Sequence, residues 1–265
     1  MNHSLPTYFI SHGGGPWPYM EEMRPMMRTL AAALADMPRQ IGVQPKAVVV
    51  VSGHWEEPDF SVMSSPQPGM LYDYSGFPAH TYKVVYPAPG APALAQHIQE
   101  LIRAAGLPSR LDAQRGFDHG CFAPLVVMYP QANVPVLQVS LKTGLDPEEH
   151  LALGRALAPL RQEGVLIVGS GLSYHNLRRF GAAAREPSAA FDDWLWASLQ
   201  QAPAARAAAI TDWEHAPSAR IAHPREEHLL PLMVALGAAS QGRAERNFHD
   251  PDFFGGAHVS GFRFD

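Results

Sequence analysis

The sequence predicts an α/β fold: a single three-layer αβα domain in which helices cover both faces of a mostly parallel central sheet. Short runs of β-branched and aromatic residues alternate with segments rich in alanine, leucine and methionine, the pattern of strands that cross over through helices. Hydrophobic residues make up 46% of the chain and charged residues 17%, which is typical of a globular protein. No internal repeat or charged linker divides the 265 residues, so we expect one domain over residues 1–265.

Strands are predicted where short apolar runs are bounded by glycine, proline or polar turn residues. The clearest run contains four consecutive valines, Val48 to Val51, and ends at Ser52 and Gly53. The predicted strands, in chain order, are residues 7–10, 46–51, 60–63, 82–86, 134–140, 165–169 and 258–264.

Helices are predicted in the intervals between these strands. For example, Asp146 offers an N-cap and Pro147 takes the first helical position, a combination that favours the start of a helix. Gly164 ends the same segment just before the next strand. The predicted helices are residues 20–36, 91–105, 147–162, 187–200 and 226–239.

Composition argues against several classes of protein. The net charge of -5 comes with scattered positive residues and no basic patch, so we expect no nucleic-acid partner. No apolar run approaches the roughly 18 residues that span a bilayer, so we expect no membrane partner either. The lone Cys121 cannot form an intramolecular disulfide, which favours a cytoplasmic protein and a buried thiol rather than a nucleophile.

The placement of the histidines is the strongest functional signal in the chain. Of the 13 histidines, His12 and His54 each follow an apolar strand-like run and stand beside glycine. If these two runs and a third at residues 165–171 are neighbouring strands of one sheet, their carboxyl ends meet at one crevice. Neutral imidazole is the commonest protein ligand for transition metals, so this pattern predicts a metal site.

Three other histidines have two interpretations each. His228, with Glu226 or Glu227 beside it, is either a third ligand or part of an acid-rich helix start. His119 is either a proton-transfer group or part of a turn in which Asp118 caps the next helix. The same balance applies to His175, which follows the apolar run at residues 165–169.

Two loops also bear on function. Residues 64–82 carry four aromatic rings, which predict either the wall of a pocket or a small separate core. The glycines at residues 13–15 lack the spacing of a dinucleotide-binding fingerprint and the Gly-Lys-Ser/Thr of a P-loop, so nucleotide binding is not expected.

Five motifs follow one another along the chain, and two further segments lie between them. The motifs are Ser11-His12-Gly13-Gly14-Gly15-Pro16, Val50-Val51-Ser52-Gly53-His54-Trp55, Gly116-Phe117-Asp118-His119-Gly120, His175-Asn176-Leu177-Arg178 and Glu227-His228-Leu229-Leu230-Pro231-Leu232. The two segments are Asp73-Tyr74-Ser75-Gly76-Phe77-Pro78 and Tyr86-Pro87-Ala88-Pro89-Gly90. Over nearly its whole length, the chain resembles the class III extradiol ring-cleavage dioxygenases. It is most similar to the 4,5-DOPA dioxygenase-like branch, which is related to the catalytic subunit of protocatechuate 4,5-dioxygenase.

This resemblance implies an oxidoreductase that holds non-haem Fe(II) and uses O₂ to open a catechol ring beside its two hydroxyls. Its partners would be O₂ and a small aromatic diol, and its product a hydroxymuconic semialdehyde. His12, His54 and His228 would be metal ligands, while His119 and His175 would be the second-sphere or acid/base histidines.

One departure from the protocatechuate type concerns the metal. That type supplies two histidines and a glutamate, whereas His228 stands at the third position here. An all-nitrogen site also suits Zn(II), and His175 is then either a proton acceptor or a fourth metal ligand. Arg225 is either a partner for a substrate carboxylate or an exposed arginine at a helix start.

Two alternatives to ring opening use the same histidines. A zinc-dependent hydrolase would activate water for ester or amide cleavage, and a non-catalytic protein would bind a metal or a small aromatic molecule without turning it over. The sequence leaves open which catechol is used, which extradiol bond breaks and which oligomer forms.

Overall fold

The computed structural model describes residues 4–265, in which eight strands form one sheet with the order β4-β3-β5-β2-β6-β1-β8-β7. Four of the seven neighbouring strand pairs are parallel, which confirms the α/β class with a mostly parallel sheet. The strands are β1 (Thr7–Ser11), β2 (Ala47–Glu57), β3 (Phe60–Met63), β4 (Ser109–Asp112), β5 (Val136–Lys142), β6 (Val165–Gly171), β7 (Ala244–Phe253) and β8 (Ala257–Phe264).

Eight α-helices and several 3-10 turns connect these strands in the described residues. The helices are α1 (Arg28–Ile41), α2 (Pro92–Ala104), α3 (His119–Met128), α4 (Pro147–Leu157), α5 (Arg185–Leu199), α6 (Pro203–Thr211), α7 (Ala219–Ala222) and α8 (Leu230–Ala238). Every residue of α8 is buried, as expected for a helix that is apolar on all sides. No helix within residues 4–265 combines the length and the apolar character needed to cross a membrane.

The core lies on the central strands. Val48, Val49, Val50 and Val51 of β2 are at most 1% exposed, because β5 and β6 pair with β2 on either side and helices cover both faces. The parallel trio β2, β6 and β1 therefore brings three carboxyl ends to one edge of the sheet. This edge carries the candidate site.

Several predicted elements differ from the structure. Residues 82–86 are not a strand, because Ala79–Lys83 forms a 3-10 turn that ends in an irregular, proline-rich segment. The helix predicted over 20–36 begins only at Arg28, after two 3-10 turns and Pro25, which lacks a backbone N–H. Two edge strands, β4 and β7, and three helices, α3, α6 and α7, were not predicted.

Candidate metal centre

Three histidines from distant parts of the chain meet at the carboxyl edge of the central strands. His12 directly follows β1 and His54 lies in the last part of β2, on either side of β6. His228 precedes α8, and its carbonyl accepts a hydrogen bond from Leu172 N, just past the end of β6. The prediction that His12 and His54 share one crevice is confirmed, and the fold brings His228 to the same place.

The ring nitrogens of these three histidines converge. The Nε2 atoms of His54 and His12 are 3.1 Å apart, and those of His228 and His54 are also 3.1 Å apart. His12 and His228 are buried, and His54 is partly exposed. A divalent ion with metal–nitrogen distances of roughly 2.1 Å needs donor atoms at about this spacing.

Asp73 contacts two imidazole rings: that of His54, one of the three converging histidines, and that of the neighbouring His119. Its Oδ1 accepts hydrogen bonds from the backbone N of His119 at 3.0 Å and from Nδ1 of the same residue at 2.9 Å. Its Oδ2 lies 3.4 Å from Nδ1 of His54. Burial raises the pKa of Asp73, but the His119 contacts outweigh it and hold the pKa below its ordinary value. The sequence motifs included Asp73 without assigning it this role.

Glu227 contacts two other imidazole rings of the site, those of His228 and His175. Its Oε1 lies 2.9 Å from Nδ1 of His228 and 3.0 Å from Nδ1 of His175. Burial raises the pKa of Glu227, but the hydrogen bond from His175 and the nearby Arg225 keep that pKa below its ordinary value. The structure therefore places Glu227 behind His228, where it fixes two imidazoles.

Ser170, on β6, orients the third ring. Its hydroxyl donates to the carbonyl of Gly120, so its oxygen accepts a hydrogen bond from His12 Nδ1 at 3.1 Å. His12 and His228 thus carry their protons on Nδ1, opposite the convergent nitrogen, and Nδ1 of His54 faces Asp73 Oδ2 at 3.4 Å. Contacts of this kind fix the tautomer of a metal-binding histidine and raise its basicity.

With their protons on Nδ1, His12 and His228 each direct an Nε2 lone pair toward Nε2 of His54, at 3.1 Å. A cation placed between these atoms accepts a lone pair from all three rings when His54 also carries its proton on Nδ1. Neutral imidazole nitrogen is a ligand for iron, zinc and copper. The donor set therefore fits a divalent transition-metal ion.

Burial keeps these rings neutral. Burial and then the adjacent imidazoles lower the pKa of His12 and that of His228 well below the ordinary value. Burial is also the largest effect on His54, followed by His119, and lowers the pKa of His54 to about 4. All three rings are thus in the form that binds metals at neutral pH.

His119 and His175 lie beside the convergent nitrogens. The His119 ring centroid is 4.0 Å from that of His54, and the His175 ring stacks on His228 with a centroid distance of 3.5 Å. Two further donor sets also lie within reach of one ion, each with ligand atoms within 4.8 Å of one another. They are His12 with His54 and His119, and His175 with Glu227 and His228.

Asp118 has the capping role that one of the two interpretations of the His119 segment predicted. It is the N-cap of α3, and its Oδ1 accepts hydrogen bonds from Cys121 N at 3.1 Å and Ser52 Oγ at 2.9 Å. Its Oδ2 accepts from Arg115 and Gln138 at 3.0 and 2.7 Å. The cap fixes the start of α3, and with it the backbone of His119.

An apolar cavity of about 580 Å³ opens over the histidines. Tyr74 and Phe77 line it, so the aromatic loop at residues 64–82 supplies part of a pocket wall, as one of its two interpretations predicted. The glycines at residues 13–15 form another part of the wall. All five histidines named in the sequence motifs line the same cavity.

Gly171 is required where the His228 segment crosses β6. A Cβ at residue 171 would overlap the carbonyl oxygen of His228, which is backbone and cannot move aside cheaply. We expect Gly171→Ala to lower the free energy of unfolding by about 3 kcal/mol and to weaken metal binding, as overpacking displaces His228. Urea unfolding and metal titration measure both effects. Gly69→Ala is the matched control, because a Cβ there meets nothing within 4 Å.

Most of the other histidines have structural contacts. His150 is buried, with Nδ1 donating to the carbonyl of Asp146. Asp192, His249 and His258 form a second cluster, in which Arg246 lies 3.2 Å from the Asp192 carboxylate and supplies its positive charge. His80, His97 and His215 also have polar partners. His3 lies outside the described residues.

His223 offers a test of how burial controls histidine charge in this protein. Burial lowers the pKa of His223 to about 3, although the ring donates to the carbonyl of Ser173. Between pH 6.5 and about 3 the unfolded chain therefore binds a proton at His223 that the folded chain does not, so this ring makes stability fall as pH falls. We expect His223→Gln, which keeps a donor, to reduce that slope by about 1.4 kcal/mol per pH unit. Urea unfolding of the metal-free protein at several pH values measures it, and an unchanged slope would refute a neutral buried ring.

The chain is similar to known proteins over nearly its whole length. The family model for the catalytic LigB subunit of aromatic ring-opening dioxygenase matches residues 1–257. The 4,5-DOPA dioxygenase extradiol of Beta vulgaris is 39% identical over 249 residues, which cover 92% of this chain and 90% of that protein. The protein of the same name from Escherichia coli (strain K12) is 36% identical over 240 residues, covering 88% and 85%. A crystal structure of an uncharacterized protein from Escherichia coli K12 has a TM-score of 0.81 and 29% identity, covering 98% of this chain and 100% of that one.

The fold, the histidine site and these similarities define an extradiol ring-opening dioxygenase of class III. The chain belongs to the LigB family of aromatic ring-opening dioxygenases. The resemblance found in the sequence motifs is confirmed. Family membership favours ring opening over a zinc hydrolase or a non-catalytic binding protein.

Proposed function

We propose that this dioxygenase requires a metal held by His12, His54 and His228, and that its substrate is a catechol-type ring. Both atoms of O₂ enter the substrate, the ring opens beside its two hydroxyls, and the product is a hydroxymuconic semialdehyde. The whole chain, residues 1–265, forms the catalytic domain. The observation that carries the proposal is the convergence of the Nε2 atoms of His12, His54 and His228 at the wall of an apolar cavity.

The metal assignment follows from the polar contacts behind the three rings. Because Ser170, Asp73 and Glu227 each lie on the Nδ1 side of one ring, the Nε2 atoms all face the same point. His119 is the weaker candidate for the third ligand, since Nε2–Nε2 distances of 3.1 Å join His54 to both His12 and His228. Fe(II), when bound there, supplies the redox chemistry that lets a catechol react with O₂.

His175 is proposed as the base that takes the second catechol proton. Its Nδ1 is held by Glu227, so its other ring nitrogen is the one available to a substrate in the cavity. The carboxylate behind the ring stabilises the imidazolium that forms. Stacking on His228 keeps the His175 ring next to a proposed metal ligand.

His119 is proposed as a hydrogen-bond donor to the substrate or to oxygen. Asp73 fixes its backbone and its Nδ1, and the Asp118 cap fixes the helix start that carries it. The ring lines the cavity, with its centroid 4.0 Å from that of His54. A donor held in this way needs little reorganisation when charge develops on a bound oxygen.

Activity is expected with Fe(II), while Zn(II) binds the same three nitrogens without supporting ring opening. Zinc has the higher affinity for most nitrogen sites, so protein purified in air is expected to contain zinc. The experiment is anaerobic loading with Fe(II) or Zn(II), followed by oxygen uptake with a panel of catechols. The proposal predicts uptake of one O₂ per catechol lost with Fe(II) alone. Ester hydrolysis by the zinc form without oxygen uptake would instead establish the hydrolase, and tight binding without any product would establish a binding protein.

A further inference from the structure

We infer that the preferred substrate is a catechol whose ring substituent is apolar and uncharged, rather than one bearing a carboxylate. The inference depends on the proposed ring-opening function, since it concerns the same cavity. It is drawn from the side chains that surround the space beyond the histidines.

The walls of that space are hydrocarbon. Asp73 is the single acid or base other than histidine that lines the cavity in the part of the chain that the structure describes, and it already accepts hydrogen bonds from His119. The Tyr74 hydroxyl donates to the carbonyl of Thr81. The remaining large side chains of the wall are Met23, Phe77, Leu172, Leu177, Phe180 and Phe254.

The glycine loop at the cavity wall is itself covered by aromatic rings. A Cβ at Gly15 would lie 2.6 Å from a ring carbon of Phe77, and one at Gly14 would lie 3.3 Å from the ring of Phe254. The absence of side chains in this loop therefore lets two phenyl rings close over it. This wall contributes apolar surface and no charged side chain.

Three arginines near the site line a different cavity. Arg178, Arg179 and Arg225 line this neighbouring cavity of about 690 Å³, and His175 and Leu177 border both cavities. Arg225 forms an ion pair with Glu56 through both of its terminal nitrogens. The guanidinium of Arg225, which the sequence indicated as one possible partner for a substrate carboxylate, is therefore already paired. It does not line the cavity over the histidines.

A carboxylate placed among these walls would lose water without gaining an arginine or lysine as a partner. Such a group is costly to bury unless it is paired, and arginine is the usual partner in proteins. An alkyl substituent, by contrast, gains contacts with Phe77, Phe180 and Phe254 and loses little.

The test compares catechols matched in size. We expect kcat/KM of the Fe(II) enzyme for 4-propylcatechol to exceed that for 3-(3,4-dihydroxyphenyl)propanoate and for DOPA by roughly 10- to 100-fold. Competitive binding of the same compounds to the zinc-loaded protein gives a readout that does not depend on turnover. Equal or higher kcat/KM for the carboxylates would overturn the inference and leave the proposed function intact. No oxygen uptake with any catechol would instead overturn the proposed function.

A variant with an added positive charge at the edge of the cavity gives a second test of the inference. Leu177 is 74% exposed and borders the cavity, so Leu177→Arg is expected to fold and to place a cation at its edge. We expect the preference for the neutral catechol over the propanoate to fall by roughly tenfold. Val85→Arg adds the same charge at a position that is 64% exposed and outside the cavity lining, and should leave the ratio unchanged. An unchanged ratio in Leu177→Arg would count against the inference.

Discussion

Replacing His12 with alanine is expected to abolish metal binding and, with it, ring opening. The His12 Nε2 is one of the three convergent lone pairs, and its removal leaves only His54 and His228 to hold the ion. Two imidazoles without the third donor lose the geometry that the rigid strand ends provide. The measurement is metal content per chain after loading and dialysis against a weak chelator, together with oxygen uptake.

The matched control for this loss is a histidine outside the site. His97 lies on the surface beside Glu163, and His97→Ala should keep both metal and activity. His54→Ala and His228→Ala should behave like His12→Ala, and circular dichroism should show that all the variants are folded. Full metal content in a folded His12→Ala protein would contradict the proposed site.

Replacing His175 with alanine is expected to have the opposite pattern, with metal retained and turnover lost. The ring is proposed to accept a proton from the substrate, and removal of a general base typically costs two to four decades of rate, so kcat should fall by roughly 10²- to 10⁴-fold. Metal content should match that of the unchanged protein, because the three proposed ligands remain. Metal analysis and oxygen uptake on the same sample separate the two effects.

The pH profile distinguishes a base from a residue that merely supports the fold. If His175 is the base, the acidic limb of kcat against pH disappears in His175→Ala, whereas a structural loss lowers the whole curve without changing its shape. Loss of the metal from the folded His175→Ala protein would show that His175 is a fourth ligand. That outcome would reject its assignment as the base.

The part of the site that lies at strand ends could be predicted from sequence. His12 and His54 follow short, continuous apolar runs whose composition is typical of buried parallel strands. Such strands end at the same edge of a sheet. The alternation of strands and helices also predicted the mostly parallel sheet correctly. These features depend on local pattern and on general topological rules.

The partners behind the rings could not be predicted, because they depend on long-range packing. Asp73 lies in a loop and reaches His119 across 46 positions of the sequence. Ser170 reaches His12 across 158 positions, and neither residue carries a local signal of that contact. Glu227 was recognised as an acid beside His228, but its bond to His175 follows only from the fold.

The missed strands and helices have local causes. β7 is a polar edge strand that contains Pro251, a residue that argues against strand structure. α3 contains Pro124 and is apolar on nearly all sides, so it lacks the periodicity of an amphipathic helix. The wrongly predicted strand at 82–86 contains two adjacent β-branched residues. Neighbouring prolines and the hydrogen bond from the Tyr72 hydroxyl to the Val84 carbonyl hold this segment in a loop.

The most direct test of the account is the position of the metal. Anomalous diffraction at the iron edge, from crystals loaded anaerobically with Fe(II), locates the ion without reference to activity. The account predicts one strong peak about 2.0–2.2 Å from Nε2 of His12, His54 and His228, the distance expected for metal–imidazole bonds. A peak bound by His119 in place of His228, or one at the Asp192, His249 and His258 cluster alone, would contradict it.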